Sequence, residues 1–263
     1  MTRIGVAATA PFGTDVLERL ATRHEIAFVL TRPDRPQGRG RKLAPPPARL
    51  AAERLGLPVL QPERLDATVE LPAETIVAVA YGLLVPASLL DRHLWLNVHP
   101  SLLPRWRGAA PVERAIMAGD AETGVSIIRL VEALDAGPIG AQESFPIGPD
   151  DDAGAVYERA AEAAARLLDP LPKRFAPQAD DGKTYADKIR PEGRRLDLSR
   201  PPDELVRRVR ALSPHIGAKA EFEGRPLTVW KARVADDKSF EPLEVQPEGG
   251  RRMEYAAWLR GLR

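Results

Sequence analysis

Three side chains that could support proton or acyl transfer, Asn97, His99 and Asp135, end or follow predicted strands. Residues 94–98 predict a short buried strand, and side chains two apart on a strand point to one face, so Asn97 and His99 should face the same way. Asp135 follows the strand-like run 125–131. Ligands of open α/β sheets bind outside the C-terminal ends of the strands. Amide and imidazole N–H groups can stabilise developing negative charge there, and a carboxylate can orient a histidine ring.

The same residue types also have a plainer interpretation. An asparagine at a strand end can cap a turn, and a histidine beside it can be an ordinary buried core residue. Spacing alone does not separate these two interpretations.

The elements that would position these residues alternate along the first two thirds of the chain. Strands alternating with helices predict an α/β fold with a doubly wound, mostly parallel sheet. The continuous apolar run in residues 75–81 suits a strand covered on both faces. Strands are expected at 3–8, 25–30, 75–81, 94–98, 125–131 and 137–147, the last at an edge, and helices at 15–23, 48–55, 111–119 and 153–168.

Residues 31–47 show no periodicity, are rich in Pro, Gly and Arg, and predict a long loop. The segment holds the basic residues Arg32, Arg35, Arg39, Arg41 and Lys42 against one acidic residue, Asp34. A basic loop beside a cleft suits a phosphate backbone. Judged by composition, such charge runs are more often solvated surface.

The composition changes after the last predicted helix of this pattern. We expect a catalytic domain at 1–178, a linker at 179–199 and a small β-rich domain at 200–263. The last domain begins with a helix at 203–212 and continues with alternating strands at 218–222, 226–234 and 243–246.

Composition excludes several classes of protein. The 263 residues carry a formal net charge of +1 and no cysteine, so disulfides and thiolate metal sites are absent. The longest apolar stretch, 75–90, is shorter than the ~20 residues of a membrane span, and no signal peptide is evident at the N-terminus. The first strand lacks the G-x-G-x-x-G turn of dinucleotide-binding proteins. We expect a soluble, cytoplasmic, monomeric protein without a metal.

The run Asn97-Val-His-Pro-Ser-Leu-Leu-Pro-Arg-Trp-Arg-Gly108 resembles the 10-formyltetrahydrofolate-dependent formyltransferase family, and the likeness covers nearly the whole chain. The resemblance implies a Rossmann-like domain in which Asn97, His99 and Asp135 are catalytic. It also implies 10-formyltetrahydrofolate as co-substrate, bound by the loop residues Ser101, Leu102, Leu103 and Pro104.

The segment Gly38-Arg-Gly-Arg-Lys-Leu43 is similar to the tRNA loop of the members that act on charged initiator tRNA. This similarity implies formyl transfer to the α-amine of methionyl-tRNA, with Arg39, Arg41 and Lys42 contacting the tRNA. Two alternatives remain open: a formyltransferase for a small amine such as an amino sugar nucleotide, and a catalytically silent RNA-binding module.

The C-terminal segments 184–189, 212–217 and 245–250 resemble parts of the family's open β-barrel. Between Asp237 and Glu244 the chain moves almost directly to the family's last strand, where several more are expected. A barrel without those strands would expose sheet edges. We therefore expect a shortened C-terminal domain with exposed sheet edges.

Overall fold

The structure is a computed structural model that describes residues 1–37 and 42–262. The strands are β1 Arg3–Ala8, β2 Glu25–Leu30, β3 Arg35–Gln37, β4 Lys42–Ala44, β5 Val59–Leu60, β6 Thr75–Val79, β7 Leu94–His99, β8 Arg107–Gly108, β9 Glu122–Arg129, β10 Ile139–Pro146, β11 Tyr185–Ala186, β12 Ala218–Phe222, β13 Arg225–Val234, β14 Phe240–Pro247 and β15 Met253–Glu254. The helices are α1 Pro11–Ala21, α2 Pro47–Arg54, α3 Ala87–Leu90, α4 Pro111–Ala118, α5 Ala153–Leu167, α6 Pro202–Leu212 and α7 Tyr255–Arg260, with a 3₁₀ turn at Glu192–Arg194.

The described chain forms two compact units. The first comprises Met1–Arg107, Gly124–Ser144 and Glu158–Thr184, and the second comprises Gly108–Thr123, Phe145–Tyr157 and Tyr185–Arg263. The predicted boundaries after residues 178 and 199 stay a prediction.

The main sheet has the strand order β10-β9-β7-β6-β1-β2-β5. Pairs β1–β2, β1–β6, β6–β7 and β2–β5 are parallel, whereas β9 lies antiparallel to β7. The predicted doubly wound, mostly parallel sheet is therefore confirmed. Because the chain turns back after β5 to place β6 on the other side of β1, the strand order reverses between β1 and β6.

Local sequence explains the tight packing at this reversal. β6 consists of Thr-Ile-Val-Ala-Val and is buried along nearly its whole length, as a strand covered on both faces requires. Gly13 of α1 lies so close to the strands that a Cβ there would be 2.5 Å from the carbonyl oxygen of Val79. Only glycine allows the helix to approach that closely.

Several predicted boundaries were wrong: β6 ends at Val79 and not at residue 81, and β9 begins at Glu122 and not at residue 125. Helix α1 begins at Pro11 and not at residue 15, because a proline fits the first helical turn and Phe12 extends the buried face. The predicted loop 31–47 contains a short antiparallel pair, in which Arg35 lies opposite Ala44 and Pro36 opposite Leu43. Polar strands this short have no alternation of apolar residues from which they could be predicted.

The second unit contains the predicted β-rich region as an antiparallel sheet in the order β12-β13-β14-β15. Side chains of α6 and α7 pack with the sheet in one core. The buried members include Leu205, Leu212, Val229, Val245 and Trp258.

In residues 1–37 and 42–262, no helix combines the length and the apolar character that crossing a membrane requires.

Helix α4 of the second unit carries a buried carboxyl group. Glu113 is 8% exposed, and the Tyr157 hydroxyl donates to its Oε2 at 3.1 Å. Burial raises the pKa of Glu113, while the hydrogen bond from Tyr157 lowers it in part. Burial also raises the pKa of Tyr157, and the neighbouring Glu113 raises it further. The folded protein therefore holds the Glu113 proton to higher pH than the unfolded chain does.

We predict that Glu113→Gln stabilises the protein above the carboxyl range of pH. Stability of the parent should fall as pH rises from the ordinary glutamate pKa to the raised folded value and stay lower above it. Glutamine keeps an oxygen for Tyr157 and carries no charge, so unfolding at pH 8 should require about 0.5–2 kcal/mol more free energy, a common gain for stabilising changes. Urea unfolding at pH 4 and pH 8 measures this.

The exposed Glu221→Gln in β12 is the matched control and should change little at either pH. A Glu113→Gln protein that is less stable than the parent at pH 8 would contradict the prediction.

Candidate active site

The three predicted residues Asn97, His99 and Asp135 lie together in the first unit. Asn97 Nδ2 donates to Asp135 Oδ1 at 3.3 Å. His99 Nδ1 lies 3.6 Å from Asp135 Oδ2, longer than a hydrogen bond but within ion-pair range. The histidine and aspartate side chains are only 5% and 11% exposed. The carboxylate therefore faces both other members of the cluster.

Strand register and one turn produce this arrangement. Asn97 and His99 lie on β7, opposite Ile128 and Ser126 of the antiparallel β9. The chain leaves β9 and folds back, and Asp135 has a left-handed backbone with φ 46°. Few non-glycine residues adopt that conformation, and those that do are concentrated at functional sites.

The second ring nitrogen of His99 also has a protein neighbour. His99 Nε2 lies 2.8 Å from the main-chain oxygen of Trp106, another residue with a left-handed backbone (φ 63°). Both neighbours of the ring are acceptors, and a neutral imidazole can donate to only one of them. The Asn97 amide has two N–H donors, of which one is directed at Asp135.

In the loop 101–104, two side chains are buried and two are partly exposed. Ser101 is fully buried and its Oγ donates to the Arg105 oxygen at 2.7 Å. Leu103 is 4% exposed, whereas Leu102 and Pro104 are partly exposed. Leu102 and Pro104 are thus the loop side chains that a ligand can reach more readily.

The loop 101–104 is held by Ser126 and Gln142, which the sequence analysis missed. Ser126 Oγ donates to the Ser101 oxygen at 2.7 Å and accepts from Leu103 N at 3.1 Å. Gln142 Nε2 donates to Ser126 Oγ at 2.7 Å and to the Leu103 oxygen at 3.1 Å. A serine inside the otherwise apolar run 125–128 was the available signal, because a buried hydroxyl needs partners.

The predicted tRNA residues are described only in part. Lys42 is exposed at the start of β4, and Arg39 and Arg41 lie outside the described residues. The chain just before β3 is fixed: Arg49 Nη1 contacts both Asp34 carboxylate oxygens at 2.9 Å, and Gln61 Nε2 donates to one of them at 3.0 Å. Hydrogen bonds from Gln61 and Arg49 lower the pKa of Asp34.

Comparison with known proteins decides the family. The formyl transferase model matches residues 3–169, and the model of the formyl transferase C-terminal domain matches residues 188–242. A methionyl-tRNA formyltransferase of Paracoccus denitrificans is 40% identical over 290 residues, covering 99% of this chain and 97% of the relative. The chain belongs to the methionyl-tRNA formyltransferase family. A second such relative, of Halorhodospira halophila, is 40% identical over 99% of this chain and 96% of its own length.

Solved structures share the formyltransferase fold. The methionyl-tRNA formyltransferase of Clostridium thermocellum matches with a TM-score of 0.66 at 14% identity, over 97% of this chain and all of that one. HypX of Aquifex aeolicus, solved in complex with tetrahydrofolic acid, matches with a TM-score of 0.66 at 17% identity, over 98% of this chain and 47% of HypX.

The described part of the chain holds no group of three or more His, Asp or Glu side chains arranged to bind a metal ion.

We predict that Ser126→Ala loosens the loop 101–104. The change leaves the buried Leu103 N–H and Ser101 carbonyl without their side-chain partner, which should lower the free energy of unfolding by about 1–3 kcal/mol. Urea unfolding checks this against Ser199→Ala, an exposed serine bonded only locally to Asp197 and expected to stay within about 0.5 kcal/mol of the parent. Equal effects of both substitutions would refute the supporting role of Ser126.

Proposed function

We propose that this chain transfers the formyl group of 10-formyltetrahydrofolate to the α-amine of methionyl-tRNA. The observation that carries the proposal is the Asn97–His99–Asp135 cluster, in a chain 40% identical over nearly its whole length to methionyl-tRNA formyltransferases.

The reaction is an acyl transfer. The amine nitrogen forms a bond to the formyl carbon, the carbonyl oxygen becomes a tetrahedral oxyanion, and the bond to the folate nitrogen then breaks. The attacking amine loses one proton, and the departing folate nitrogen gains one. Such a site needs donors aimed at the oxyanion and a group that moves a proton.

The cluster supplies both kinds of group. Asn97 has a second amide N–H besides the one on Asp135 and is proposed to donate it to the oxyanion. His99 is proposed to take the amine proton and also to donate to the oxyanion. For either task the ring must exchange its Trp106 contact for one to the substrate. Asp135 is proposed to orient the ring, because its carboxylate faces ring Nδ1 at 3.6 Å.

We propose that the loop Ser101, Leu102, Leu103 and Pro104 contacts the folate, through the partly exposed Leu102 and Pro104. Ser101 and Leu103 then fix the loop, as their burial and bonds to Arg105 and Ser126 suggest. HypX carries tetrahydrofolic acid on a similar fold, which is consistent with this co-substrate.

The basic residues Arg39, Arg41 and Lys42 are proposed to contact tRNA phosphates. The exposure of Lys42 and the fixed position of Asp34 just before β3 support this role. We further propose a monomer that works in the cytoplasm, with a catalytic domain at 1–178, a linker at 179–199 and a tRNA-binding domain at 200–263.

The decisive experiment offers formyl donor with charged initiator tRNA, uncharged tRNA, or an amino sugar nucleotide. Formylation of charged tRNA alone supports the proposal. Formylation of the sugar favours the small-molecule alternative, and tRNA binding without transfer favours the silent module.

We predict that Asn97→Ala lowers kcat by about 10²–10³, the usual loss for one oxyanion donor. Affinity for folate should change little, because the folate loop is a different stretch of chain. Single-turnover formylation and folate titration separate the two effects. A kcat within a few-fold of the parent would remove Asn97 from the mechanism.

We predict that replacing Arg39, Arg41 and Lys42 together with Ala weakens binding of charged tRNA. Each lost phosphate contact should flatten the plot of log K against log salt by roughly 0.7–0.9 units, so the triple variant should lose about two units of slope. Folate affinity should hold.

The control removes the same charge from Arg3, Arg23 and Arg54, which lie near the opposite, N-terminal ends of the parallel strands and form exposed ion pairs. Its salt slope should match that of the parent. If the loop variant has the parent's KM for charged tRNA across the salt series, the loop is solvated surface.

A further inference from the structure

We infer that Gln178 and Thr184 are positioning residues that hold the two flanks of His99 in place. They lie at the two ends of the segment 178–184, which spans the expected boundary between the catalytic domain and the linker. The inference rests on the proposed function for its kinetic readout, and it also has a spectroscopic readout that does not.

The Gln178 side chain fixes the Asp135 turn. Its Nε2 donates to the main-chain oxygens of Asp135 at 2.7 Å and Gly137 at 2.8 Å. Its Oε1 accepts from Arg107 Nη2 at 2.6 Å and Nε at 3.1 Å, and Arg107 is only 8% exposed. Both N–H donors and the oxygen acceptor of the Gln178 amide therefore have partners. The buried Arg107 guanidinium fixes the orientation of the amide.

These hydrogen bonds of Gln178, here called the Gln178 clamp, hold a backbone turn with an uncommon conformation. Asp135 has φ 46°, a conformation that a non-glycine residue keeps only when its surroundings fix it. The same turn sets the direction of the carboxylate that faces Asn97 and His99. Loss of the two amide donations should let the turn relax.

Thr184 fixes the other flank. Its Oγ1 accepts from Trp106 N at 2.9 Å, and its main-chain oxygen accepts from Arg107 N at 2.9 Å. The Trp106 oxygen is the group that lies 2.8 Å from His99 Nε2. The segment 178–184 thus bonds to the residues that face both ring nitrogens of His99.

The first test is the near-isosteric Gln178→Glu. A carboxylate still accepts from Arg107 but has no N–H for the two carbonyl oxygens. We expect kcat to fall by about 10–100-fold, since displacements near 1 Å can cost 10²-fold, with KM for charged tRNA within about twofold of the parent. Gln178→Met, which cannot donate either, should show the same split.

Asp180→Ala is the matched control. Asp180 lies in the same segment with its side chain 99% exposed, and it pairs only with its neighbour Lys183 in the described contacts. This variant should keep the parent's kcat and KM.

The second test asks whether Thr184 positions the residues around His99 or only stabilises the fold. Thr184→Val removes the acceptor of the Trp106 N–H and should lower kcat more than it raises KM. Thr184→Ser restores the hydroxyl and should restore kcat. If Gln178→Glu does not fold, this pair decides the inference.

The third test needs no activity. Asn97 is the only asparagine in the chain, so asparagine-selective ¹⁵N labelling gives a single side-chain NH₂ signal. Because this group donates to Asp135, Gln178→Glu should shift the signal and Asp180→Ala should not. An inactive parent would refute the proposed function while this signal still reports on the clamp. Parent-like kcat together with an unshifted signal in Gln178→Glu would overturn the inference.

Discussion

The carboxylate of Asp135 is the group on which the geometry of the site depends. It is 11% exposed, and a carboxylate with so little water around it needs hydrogen-bond donors or positive charge nearby. Asn97 and His99 meet that need from one strand, two residues apart. The same contacts also fix the positions of the Asn97 amide and the His99 ring. A substitution of one of these three residues therefore removes contacts that fix the others in place.

The fold brings this carboxylate back to β7 by an unusual route for a parallel sheet. β9 runs antiparallel to β7, so its last residue, Arg129, lies opposite Leu96. The following turn must therefore reverse to reach Asn97. Gly137 permits the reversal, since a Cβ there would be 1.8 Å from the Arg129 carbonyl oxygen. The left-handed conformation of Asp135 completes it.

Sequence predicted the parts of the structure that depend on apolar runs. The bounds of β1 and β2 were correct, because continuous buried strands leave an unbroken apolar pattern. The proximity of Asn97, His99 and Asp135 was also predicted, in part through the family resemblance. Ser126, Gln142 and Gln178 were missed because their partners are mostly main-chain carbonyl and N–H groups distant in sequence. Every residue carries such main-chain groups, so no pattern of side chains predicts these contacts.

The antiparallel sheet of the second unit shows how helices and short edges complete a small β-rich core. Helix α7 packs where the sheet needs cover: Trp258 is buried, Tyr255 stacks on it at 5.6 Å, and Phe222 of β12 meets Tyr255 edge-on at 5.4 Å. The expected exposed edges are also limited. Leu196 N donates to the Lys219 oxygen of β12 at 2.8 Å, and β15 at the other edge is only two residues long. An aromatic helix thus covers this core, since core burial requires a cover and not a particular element.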